Sequence, residues 1–60
     1  MDYQITINTE NAAFNEAGDN GAFETARILR RLADDVESMG LCEYNLRDGN
    51  GNKVGEAGEI

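Results

Sequence analysis

The sequence predicts an α+β fold of order β-α-β-β, a single helix packed on a three-stranded, at least partly antiparallel sheet. Three observations carry that expectation. Apolar and polar residues alternate from Met1 to Thr9, as in a half-buried strand. From Ala22 to Met39 apolar residues recur at steps of three and four, the spacing of one helical face. Two Asx-Gly steps, Asp48-Gly49 and Asn50-Gly51, then separate two further strand-like stretches, which is a strong hairpin signal.

In the first strand Met1, Tyr3, Ile5 and Ile7 share one side, and Asp2, Gln4, Thr6 and Asn8 the other. Glu10 to Phe14 either prolongs this strand or folds back over the helix, with Phe14 a core residue. Asn15 to Gly21 holds two Gly, two Asn, an Asp and a Glu, a turn-forming composition. Asn20 or Gly21 then caps the helix. With Gly21 in that role Glu24 falls at the third helical position, near the positive end of the dipole.

The stripe Ala22, Ala26, Leu29, Ala33 and Val36 is the expected buried face, widened on one side by Ile28, Leu32 and Met39. Gly40 ends the helix after Met39, with Leu41 reaching back to Val36 as in a Schellman motif. Leu41 to Arg47 alternates again, with Cys42, Tyr44 and Leu46 inward. Lys53 to Ile60 is the return strand, weak in side chains because Gly55 and Gly58 supply none. For Leu46 and Val54 to share a face, the intervening loop must hold an odd number of residues.

Sixty residues make one compact domain, 1–60, and a chain this short buries only about 60% of its unfolded surface, too little to enclose a deep substrate cavity as well. Twelve Asp and Glu against five Lys and Arg give a net charge of −7. Direct binding to nucleic acid or to an anionic membrane relies on cations and is disfavoured. A basic partner is the natural complement. No apolar run approaches a membrane span, and a lone cysteine, Cys42, allows no internal disulfide, so the chain reads as cytoplasmic and monomeric, its high like charge opposing self-association.

The residues offer no catalytic kit. There is no His, so Cys42 has no imidazole base and the usual zinc sites are excluded; Cys42 reads as a buried, inert thiol. No phosphate-binding Gly-rich loop is present, and Asp34 with Asp35 is too shallow a pair for acid and base work. Asp48, Asn50, Asn52 and Glu59 match positions 1, 3, 5 and 12 of a calcium loop, but Lys53 stands where Gly is required and no second helix follows. The hairpin accounts for the same residues with fewer assumptions. The expectation is a non-enzyme with no cofactor and no metal.

Charge is segregated along the chain. Residues 1–26 contain Asp2, Glu10, Glu16, Asp19 and Glu24 and no basic residue. Arg27, Arg30 and Arg31 form a short basic patch, in which Arg30 with Asp34 and Arg31 with Asp35 are spaced for local pairing. The remaining surplus of acids serves solubility, or imitates a phosphate backbone and occupies the basic nucleic-acid channel of another protein. The candidate partner-binding residues, chosen from charge and expected exposure, are Glu10, Glu16, Asp19, Glu24, Asp34 and Asp35.

Asn11-Ala12-Ala13-Phe14, the run from Ala26 to Ala33 (ARILRRLA) and the run from Leu46 to Gly55 (LRDGNGNKVG) together resemble a group of small proteins carried by phages and prophages. A compact acidic protein of this kind also resembles the anti-CRISPR proteins. The resemblance implies an inhibitor of a type I Cascade effector, with type I-C the narrower expectation, acting in the bacterial cytoplasm on a Cas protein or Cascade complex. It carries over no binding residue, because anti-CRISPR proteins share no common motif. The rival expectation is a mobile-element regulator that docks on a host protein through the helix face bearing Arg27 and Arg31.

Overall fold

Five elements follow one another: β1 (Tyr3–Ile7), a one-turn helix α1 (Ala12–Asn15), the long helix α2 (Ala22–Met39), β2 (Tyr44–Arg47) and β3 (Lys53–Glu59). The structure, a computed structural model, describes residues 1–15 and 18–60. One long helix lies on a three-stranded antiparallel sheet, as the sequence predicts. The stretch left open, Glu10 to Phe14, folds back as α1 and delivers Phe14 to the core, where it is 1% exposed.

The strand order is β1-β3-β2, so the last strand is central and pairs antiparallel on both sides. Its poverty in side chains has a steric reason. Gly55 faces Ile7 on one side and Leu46 on the other, and a Cβ at 55 would overlap the backbone carbonyl of Thr6. The five-residue turn Asp48–Asn52 has the odd length that lets Leu46 and Val54 share a face, and both are buried. Leu46 pairs with Gly55 but Arg47 with Lys53, which leaves Val54 as the extra residue of a β-bulge. The bulge places Val54 and Ala57, three positions apart, on the same buried side.

Helix α2 has the bounds expected. Gly21 caps it with φ 85°, a conformation that favours Gly, and the first helical bond runs from Thr25 N–H to the Gly21 carbonyl at 2.9 Å. At the other end Gly40, φ 94°, donates its N–H to the Val36 carbonyl at 2.8 Å. With ψ −177° Gly40 leaves the helix extended, so the bond is an ordinary i to i−4 helical one and the Schellman pair that the Gly-Leu step suggested does not form.

Three readings are corrected. The deepest apolar residues of the helix are Ile28 and Leu32, whereas Leu29 and Ala33 are exposed, so two of the three residues expected to widen the stripe are its centre, and the third, Met39, is 61% exposed. The long side chains win the interior over the small alanines, rolling the helix toward the hairpin. Cys42 is exposed and lies before β2, not buried within it. Its N–H donates to the Gly40 carbonyl at the helix exit, and its own carbonyl accepts the hydroxyl of Tyr3 in β1 at 2.7 Å, so it is held between the helix end and the first strand. Ile5 is 45% exposed although it points to the helix side, because α2 leaves β1 partly uncovered.

The core is Phe14, Ile28, Leu32, Leu46, Val54 and Ala57, with Tyr3, Ile7, Val36 and Tyr44 packed around it. Among the described residues no helix is long and apolar enough to cross a membrane.

Candidate functional site

The acids divide into those that hold the fold together and those that face solvent, and this division decides which can meet a partner. Glu24 belongs to the first group. It sits at the third position of α2, 8% exposed, and its carboxylate accepts from Arg27 Nε at 2.8 Å and Arg27 Nη2 at 2.9 Å. The Gly49 N–H of the hairpin turn donates to its Oε2 at 2.6 Å. One side chain thus ties the helix start to the tip of the β2–β3 hairpin.

Asp48 works beside it. Also buried, it accepts from Asn50 N–H and Asn52 N–H, both at 2.9 Å, and from Asn11 Nδ2 at 3.1 Å. The first two bonds shape the turn, and the third binds it to the segment leading into α1. Its oxygens are therefore met by N–H donors, and Glu59 lies at the far end of β3, which is the physical reason the calcium spacing does not assemble. Among the described residues no three His, Cys, Asp or Glu side chains come together as a metal site.

Both carboxyls are held below their ordinary values. For Glu24 the Arg27 hydrogen bonds dominate, burial opposes them and the Gly49 amide assists. For Asp48 burial is the largest single influence and pushes upward, but the hydrogen bonds from Asn11, Asn52 and Asn50 together outweigh it. A carboxyl depressed in the fold takes up its proton more readily in the unfolded chain, so stability is present above the unfolded value and falls as the pH drops through about 4. Glu24→Gln is expected to cost about 2 kcal/mol at neutral pH, because a charge-assisted anchor is lost. Thermal melts from neutral to acid pH should show a lower and flatter profile for the variant.

Asp19 is also structural. Its carboxylate accepts from Phe23 N–H at 2.9 Å and Gly21 N–H at 3.2 Å, capping the helix from two residues before Gly21. Asp35 is half-buried and loosely paired with Arg31 at 3.5 Å. Arg30 and Asp34, though correctly spaced, are not among the ion pairs of the described residues. Glu16 lies outside the described residues. Of the six expected partner-binding acids, Glu10 and Asp34 are exposed, and they are joined at the surface by Asp2, Glu37, Glu43, Glu56 and Glu59. None of these seven is in an ion pair among the described residues.

The basic side chains gather elsewhere. Arg27, Arg31 and Arg47 line one cleft of about 260 Å³ between α2 and β2, together with Asp35, Asp48 and Asn45. Arg27 is committed to Glu24, and Arg47 Nη1 donates to the Gly51 carbonyl at 3.1 Å. With Asp35 and Asp48 interleaved and Arg27 already paired to Glu24, the cleft has little net charge to offer.

No protein family, characterised protein or solved structure matches this chain. The structural roles of Glu24, Asp48 and Asp19 were missed by composition, which treats all carboxylates alike. The three-residue step from Glu24 to Arg27 was the legible signal for the first of them.

Proposed function

We propose that this protein is a non-enzymatic anti-CRISPR inhibitor that presents its exposed carboxylates to the basic DNA-binding surface of a type I Cascade effector and so keeps target DNA out. The observation that carries this reading is the distribution of Asp2, Glu10, Asp34, Glu37, Glu43, Glu56 and Glu59, exposed and without ionic partners among the described residues, over a body of 35 × 21 × 18 Å. The long dimension equals about one turn of B-DNA. Such a turn carries roughly 20 phosphate charges, against a net −7 here, so the imitation is partial and charge alone does not supply all the affinity.

The direct experiment measures binding to a purified type I-C Cascade complex at several salt concentrations. The combined variant Glu10→Gln, Asp34→Asn and Glu37→Gln removes three exposed charges and spares Glu24, Asp48 and Asp19, so the fold is retained. Affinity is expected to fall on the order of tenfold and its salt dependence to flatten. Arg31→Gln is expected to leave binding unchanged or tighter. Unchanged affinity of the triple variant together with loss on Arg31→Gln would favour docking through the arginine face of the helix.

A further inference from the structure

We infer that the outer edge of β1 and the groove beside it form a binding site for an extended, cationic segment of a partner protein, which adds to the sheet as a fourth strand. The inference stands on this edge alone and does not depend on the partner being a CRISPR effector.

The hydrogen-bond phase of β1 identifies which groups are free. Asn8 N–H donates to the Val54 carbonyl at 2.7 Å, and Ile60 N–H to the Asp2 carbonyl at 3.0 Å, so the even-numbered residues of β1 face β3. By the alternation of an antiparallel ladder, Tyr3, Ile5 and Ile7 turn their N–H and C=O groups to the open edge. The edge carries no charge, Pro or bulge between Tyr3 and Ile7, the devices that ordinarily prevent strand addition.

The side chains of those same three residues point to the helix side, where α2 stops short of β1. The gap is an apolar groove of about 390 Å³, lined by Tyr3, Ile5, Leu29, Ala33, Val36 and Leu41 among others. Three large apolar residues stand exposed in it: Ile5, Leu29 at 40% and Leu41 at 58%. A strand added to β1 would direct every second side chain into this groove, the arrangement by which strand addition combines main-chain affinity with side-chain selectivity.

Charge selects the occupant. The groove is rimmed by Glu37, β1 is preceded by Asp2 and followed by Glu10, and residues 1–26 contain no Lys or Arg. A partner with Lys or Arg at alternate positions and apolar residues between them matches both the rim and the groove. A second copy of this chain would bring its own charge of −7 against the same rim.

The probe is a labelled, end-blocked peptide, Lys-Val-Lys-Val-Lys-Val-Lys, compared by fluorescence anisotropy with Lys-Ser-Lys-Ser-Lys-Ser-Lys, which has equal charge and no apolar side chains. The valine peptide is expected to saturate at one per chain, to bind at least about tenfold tighter than the serine peptide, and to lose about tenfold on Leu29→Gln. Amide hydrogen exchange at Tyr3, Ile5 and Ile7 should slow on its addition. Equal binding of the two peptides, or binding that leaves those amides unchanged, would overturn the inference. So would a dimer in sedimentation that protects the same amides without peptide, since it would give the groove to a second copy.

Discussion

Phe14→Ala is expected to remove a large part of the chain's stability in water at room temperature. A domain of this size has about 3 to 9 kcal/mol of stability in total, and truncating a buried Phe removes about 3 to 5 kcal/mol. Phe14 is the most deeply buried large side chain and belongs to the short helix α1, which few other residues anchor. It packs on the core formed by Ile28, Leu32, Leu46, Val54 and Ala57, so its loss opens a void between α1 and the rest. Urea titration followed by far-ultraviolet circular dichroism would show the folded baseline shortened or absent. Phe14→Leu, which keeps most of the volume, should cost about 1 kcal/mol and stay folded.

Gly55→Ala is the second large effect, and it acts through the backbone. The added methyl would overlap the Thr6 carbonyl and crowd the Ile7 Cα, neither of which can swing aside as a flexible side chain does. Strand β1 must separate from the central strand, at a cost of about 3 kcal/mol, the upper end for overpacking. Gly49→Ala is the matched control, since a methyl there meets only the Glu24 Oε2 atom at 3.5 Å, an ordinary contact. A loss of stability at 55 far above that at 49, measured by the same titration, is expected.

These two positions illustrate what the sequence discloses and what it does not. The bounds of α2, the hairpin and the inward placement of Phe14 follow from local periodicity, capping and turn chemistry, and each is legible over a few residues. The central position of β3 is not, because Gly55 and Gly58 weaken it as an isolated strand, while the close approach of Thr6 that makes Gly necessary involves residues far apart in the chain. The helix was placed correctly but its roll was not: a periodic stripe counts Ala33 and Leu32 alike, whereas packing rewards the larger side chain.

The site divides in the same way. Net charge showed that a surplus of acids existed, and the exposed Glu10 and Asp34 belong to it. Glu24 and Asp19 do not, since one anchors the hairpin and the other caps α2 through bonds to backbone amides that composition cannot register. The groove along β1 had a sequence correlate in the uncharged run Tyr3–Ile7, but its exposure depends on how far α2 reaches across the sheet.

The proposed inhibition is tested most directly by phage plating on a bacterium immune through a type I-C CRISPR system, with and without this chain expressed. Restored plaque formation by the targeted phage, lost again with the Glu10→Gln, Asp34→Asn and Glu37→Gln variant, is the predicted result. Continued immunity at normal expression of the folded protein, in type I-C and in the other type I backgrounds, would contradict it.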